Sequence, residues 1–242
     1  MPIVAAFVCV VLLNVYAAVL VASRSVVYGT RLYRPMLVNI ALSFVPVLAA
    51  VVAVSGLVFL APVLSEAAGL STSLSAGILW AYLLVGTVLW LLFFPNSIYL
   101  ITELNLSHRH EGDPVPLWYD IVQTLTLTLS GIANAVLSLA VVQTGFIAIL
   151  LDPTPAASPP AASWAFAGTV IVLGAVGVYL GRYLRFNSWD VRHPRGMLRK
   201  LGAHLRTRGK ALEAGGFVFT HALLIGLVYV PLYLLGYGAL GG

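Results

Sequence analysis

LWYDIVQTLTLTLSGIANAVLSLAVVQTGFIAILL, residues 117–151, carries one charge, Asp120. The stretch is longer than the ~20 residues that carry a helix across a ~30 Å hydrocarbon core. It is read as a membrane span that is tilted or that begins in the interface, with a re-entrant pair of segments as the alternative. Asp120, Gln123, Ser130, Asn134 and Ser138 recur within it at helical spacing, and Thr124 and Thr128 fall on an adjoining row. One face of this helix is therefore polar. Polar groups are costly in hydrocarbon, so that face is predicted to point inward. Its plain role is interhelical hydrogen bonding that holds a bundle together.

Outward from this stretch, further apolar runs lie near 2–22, 36–61, 76–101, 163–185 and 214–240. Each is long enough for a span. The predicted fold is an all-α, polytopic transmembrane helical bundle of about six spans, in a single transmembrane domain over 1–242. Composition agrees: 60% of the residues are hydrophobic and 9% charged, whereas soluble domains carry about a quarter charged. So few charges could not cover a surface in water. The one cysteine, Cys9, excludes an intramolecular disulfide framework and a multi-cysteine metal site. It reads as a small core or lipid-facing residue. No Lys or Arg precedes Arg24, and a cleaved signal peptide requires positive charge ahead of its apolar stretch. The first run is thus expected to be a retained span with its N-terminus outside.

The basic residues set the expected orientation. Arg24, Arg31 and Arg34 lie between the first two runs, and Arg109 between the third and fourth. The other nine of the 13 run from Arg182 to Lys210. All fall on one side, which the positive-inside rule makes cytoplasmic. The opposite connections hold only Glu66 and Asp152. The expectation is a multi-pass protein of the cell membrane with both termini extracytoplasmic. The basic loop 186–213 is expected to lie along anionic inner-leaflet lipids. It has no motif or aromatic platform for nucleic acid.

Ionisable and polar residues converge on the same predicted side. FFPNSIYLITEL (93–104) ends the third run. Pro95 lacks a donor for the carbonyl of Leu91, so a kink or break is expected there, followed by Asn96, Tyr99 and Glu103. Asn39 and Ser43 begin the second run, Asp120 the fourth and His221 the sixth, while RYLRFNSWD (182–190) ends the fifth. Five helices would thereby bring polar groups to one depth. The candidate ligand-binding residues are Asn39, Asn96, Tyr99, Glu103, Asp120, Arg182, Arg185, Asn187, Trp189, Asp190 and His221. Arg182 or Arg185 is expected within salt-bridge distance of Asp120, Glu103 or Asp190. In the fifth run, Gly177 and Gly181 form a small-xxx-small pair suited to close helix approach.

These residues also carry a resemblance. Asn39 stands seven positions before Pro46. A PN..Y..T segment is formed by Pro95, Asn96, Tyr99 and Thr102, followed by Glu103 where an Asp is usual. Trp118, Tyr119 and Asp120 give WYD. Leu180, Gly181, Arg182, Arg185, Asn187, Ser188, Trp189 and Asp190 give LGR..R.NSWD. As a set, over roughly 36–195, the chain resembles the membrane proteins of domain of unknown function family 1361. One departure is Leu106 in place of a common His, with His108 two positions later. The resemblance implies a multi-span membrane protein of a bacterial or archaeal type, and implies no activity.

Three functional classes follow. The favoured one is binding or transport of a small anionic or polar ligand, or a lipid headgroup, with arginines giving bidentate recognition. The second is an intramembrane hydrolase acting on lipid or peptide, using Ser130 and His221. However, TLSG (128–131) lacks the first glycine of the rhomboid GxSG pattern. The third is a structural or assembly subunit. No zinc-ligand spacing is present, although His221, His108 or His110 with Asp120 or Glu103 would be the available donors. No metal, cofactor or catalytic residue is assigned, and the oligomeric state is open.

Overall fold

The computed structural model describes residues 2–66, 71–103, 114–151, 158–184 and 194–241. Among them are seven α-helices and no strand. They are α1 (Pro2–Tyr28), α2 (Arg34–Glu66), α3 (Thr72–Tyr99), α4 (Leu117–Phe146), α5 (Ala161–Tyr183), α6 (Pro194–Arg206) and α7 (Lys210–Gly241). All except α6 are long and apolar enough to cross a membrane. The protein is an all-α, multi-span membrane protein.

Local chemistry sets several helix ends, and some differ from expectation. α1 does not stop near residue 22 where the apolar run ends. It continues to Tyr28, because the stop is Gly29, which takes the left-handed conformation (φ 64°) that ends helices. Arg24 therefore belongs to the helix rather than to a loop. Ser71 caps α3, its Oγ accepting from the Leu74 N–H at 3.3 Å. Pro95 does not break α3, which continues to Tyr99 and then tightens into a 3-10 turn, Leu100–Glu103. Run 117–151 is one continuous helix ending in a π-helical turn, Ile147–Leu151, which removes the re-entrant alternative. At 1.5 Å per residue α4 alone is about 45 Å long, more than a ~30 Å core. The basic loop 186–213 is not simply a loop either, because it contains α6. Leu198, Leu201 and Leu205 lie three and four residues apart, which places apolar groups on one side of a helix.

The chain forms two compact units, 1–156 and 157–242. In the first, α4 packs against α1, α2 and α3, and α2 also packs along α3. Its arrangement is the reverse of a water-soluble protein. Asp120, Gln123, Ser130, Asn134 and Ser138 of α4 are buried, as the polar face predicted. Thr126 and Gln143 are buried as well, Thr124 and Thr128 are half-buried, and Leu125 and Leu129 are exposed. Lipid is the solvent for such a surface, so polar groups gain by facing inward. Cys9 is exposed on α1.

In the second unit α7 packs against α5 and α6. Trp164 meets Tyr233 edge-on at 5.5 Å, and Tyr233 stacks on Tyr229 at 5.4 Å. Toward the other end of α5, Tyr179 stacks on Tyr183 and Phe217 on His221, and Phe217 meets the two tyrosines tilted and edge-on. Gly181 does not act as a packing surface among the described residues, since a Cβ there would meet nothing within 4 Å.

Candidate functional site

Among the described residues of the first unit, buried polar groups of two kinds bear on a site; Trp90 Nε1 in α3 is also buried without a partner there. At mid-helix, the amides of Asn14 and Asn134 bond reciprocally, at 2.8 and 3.0 Å. Asn134 Nδ2 also donates to Ser43 Oγ at 2.9 Å. Ser43 Oγ donates to the Ile40 carbonyl at 2.8 Å, and Ser97 Oγ donates to the Ser43 carbonyl at 2.7 Å. This chain of bonds joins α1, α4, α2 and α3. Its members satisfy one another, which suits a structural role.

Close approach supports the same level. Gly131 of α4 faces the Ser97 carbonyl: a Cβ would lie 2.6 Å from that oxygen and 2.9 Å from Leu100 Cβ. Only glycine fits there. One step beyond, Ala17, Val21, Ile40, Leu100 and Leu127 form an apolar cluster. Asn39 and Tyr99 are the chain neighbours of Ile40 and Leu100, and both are half-buried. Asn96 is also half-buried.

The second kind lies nearer the start of α4. Arg24 Nε donates to Asp120 Oδ1 at 3.1 Å, with the side chains retaining 28% and 12% exposure. Asp120 is in the first turn of α4, where the helix dipole favours a carboxylate. Beside it, Tyr119 donates to the Leu20 carbonyl at 2.7 Å and meets Tyr28 edge-on at 5.2 Å. These contacts hold the last turns of α1 against α4. One turn along, Gln123 is buried and its Oε1 has no hydrogen-bond partner among the described residues. An unpaired buried carbonyl is uncommon and costly. Asn96 and Tyr99 likewise make no side-chain hydrogen bond among the described residues.

Sequence reasoning missed two members of this site. In the sequence Arg24 reads as a residue between two spans, and Gln123 as part of the polar face of α4 only. A signal for Arg24 was present: Asn14, Ala17, Val21 and Arg24 repeat at three- and four-residue spacing, the stripe that α1 buries.

Arg182 and His221 belong to the second unit. Arg182 is half-buried in the last turn of α5, where a cation complements the helix dipole. His221 Nδ1 lies 2.9 Å from the Phe217 carbonyl, and its ring stacks on Phe217 at 3.8 Å. Glu103 closes the 3-10 turn, but its side chain lies outside the described residues, as do Arg185, Asn187, Trp189 and Asp190 entirely. His108 and His110 are outside them too. Among the described residues, no three His, Cys, Asp or Glu side chains come together in a way that could hold a metal ion.

A family model described as "Protein of unknown function (DUF1361)" matches residues 38–228. The chain belongs to this family. In this DUF1361 protein the match extends past the NSWD motif into α7 and includes His221. It contains every candidate residue chosen from the sequence, while Asn14 and Arg24 precede it. No curated protein and no solved structure matched the chain.

Proposed function

We propose that this DUF1361 protein binds a small polar or anionic ligand, or a lipid headgroup, at the end of the first unit formed by Arg24, Asp120 and Gln123. One observation carries this reading: the unpaired, buried Gln123 Oε1 one turn from an incompletely buried ion pair. The deeper amides consume each other's hydrogen bonds; this group does not. Arg24 uses one of its several N–H donors on Asp120, and the others suit a carboxylate or phosphate oxygen. Gln123 Oε1 calls for a ligand that also donates an N–H or O–H.

Thermal stabilisation of the purified protein by a panel of carboxylates, phosphates and soluble headgroup analogues tests the proposal. A hit that is lost in Gln123→Met and Arg24→Gln supports it. No hit from the panel, with these variants changing only the baseline melting temperature, favours an assembly subunit instead. That second reading has its own support in the Asn14–Asn134–Ser43 bonds that tie helices together.

The hydrolase reading has less support. Ser130 is fully buried and donates to the Leu127 carbonyl of its own helix at 2.8 Å, where a nucleophile needs a base. The proposed setting is the cell membrane, with the Arg24 end of α1 and the basic segment 186–213 cytoplasmic, and with both termini outside.

A further inference from the structure

The helix α6 lies between two spans that pack against each other, α5 and α7, and only Thr207, Arg208 and Gly209 separate it from α7. Gly209 makes the turn with φ 83°, a conformation that favours glycine. His204 Nε2 is 2.8 Å from the Tyr179 hydroxyl, so the last turn of α6 is tied to α5. A 13-residue helix held in this way lies at the ends of two helices long and apolar enough to cross a membrane.

Its surface has three strips. Met197, Leu201 and His204 are half-buried. Leu198 and Leu205, two turns apart on the neighbouring edge, are 61% and 36% exposed. Arg195, Arg199 and Arg206 form the next strip and are exposed, as is Lys200. From Val191 to Leu212 the chain has seven basic residues and no acidic one. An exposed leucine edge bordered by arginines is the pattern of a helix lying in a bilayer interface. The charge selects anionic lipid.

We infer that α6 is an interfacial helix that docks on anionic phospholipid headgroups, seating Leu198 and Leu205 at the acyl boundary while Arg195, Arg199 and Arg206 engage the phosphates. This surface shares no residue with the Arg24–Asp120–Gln123 site, and its occupant is lipid of the bilayer that holds the protein.

The test uses the full chain with an environment-sensitive fluorophore on Leu198→Cys in a Cys9→Ser background, reconstituted into vesicles. With phosphatidylglycerol present, the label should shift to the blue and be quenched by spin-labelled lipid. In pure phosphatidylcholine, or at about 1 M salt where charges are screened beyond ~3 Å, it should move toward water. Replacing Arg195, Arg199 and Arg206 by Gln should lower the docked-to-undocked ratio roughly a hundred-fold, and replacing them by Lys should largely preserve it. All these substitutions are at exposed positions, and helicity by circular dichroism checks that each variant is folded. A label that stays in water in every lipid overturns the inference. So does one that is equally shielded in both lipids and indifferent to salt and to the Gln variant, since protein would then cover that edge.

Discussion

Arg24 and Asp120 show how one contact changes the meaning of a residue. An arginine just past an apolar run reads as a topology signal, yet here its Nε is 3.1 Å from a carboxylate on another helix. Removing one partner leaves the other charge poorly solvated. Asp120→Asn or Arg24→Met should therefore cost ~1–3 kcal/mol of stability in detergent, less than the ~3–5 kcal/mol of a fully buried pair because some exposure remains. Replacing both with apolar residues should recover part of the loss, and a double-mutant cycle on melting temperature measures the coupling. Glycine offers a second contrast. Gly131→Ala forces a Cβ to 2.6 Å from the Ser97 carbonyl oxygen, and should cost about 1–3 kcal/mol despite alanine's better helix propensity. Gly181→Ala meets open space among the described residues and should be neutral or stabilise by up to ~1 kcal/mol. Equal melting temperatures for the two variants would contradict the close approach of α4 to the end of α3.

At the scale of elements, α4 organises the first unit because it carries hydrogen-bonding groups on the side it buries. Asn134→Ala would strand Asn14 and Ser43, which now share its amide. In a membrane such a loss is worth about 1–2 kcal/mol. The melting temperature should fall, and Asn14→Leu with Asn134→Leu together should restore some of it, because no orphaned amide remains. If the double variant were no better than the single one, packing rather than hydrogen bonding would govern this level. The run 117–151 could be read from the sequence as a span with a polar face, and it is one. Pro95 was less legible: a helix tolerates a proline where other groups compensate, and α3 passes through it to Tyr99. α6 was concealed because charge alone describes segment 186–213 as a loop, and the leucine spacing had to be weighed against it.

For the whole molecule, the proposed topology rests on six helices suited to crossing a bilayer and on the positive-inside reading of the 13 basic residues. Reporter fusions after residues 68 and 156 are expected to read outside, and fusions after 30 and 205 inside. An inside signal at 156 would remove the proposed six-span orientation. The candidate site was partly legible at this scale. Asp120 was identified from its position at the start of a span, but the five-helix convergence drew on residues of two units, and Arg185, Asn187, Trp189 and Asp190 lie outside the described residues.

The sequence alone determined the all-α membrane class, the approximate spans and the inward polar face of α4. Those properties follow from composition and periodicity, which act through the solvent and need no knowledge of neighbours. It also carried the family, through motifs spread over several spans. Only the tertiary structure decided which polar groups satisfy one another. Asn14 and Asn134 are 120 residues apart and Arg24 and Asp120 are 96 apart, so no local pattern pairs them. The distinction between a completed hydrogen-bond chain and the unpaired Gln123 Oε1 depends on those pairings, because a polar side chain becomes a candidate for binding only when its neighbours leave it unsatisfied.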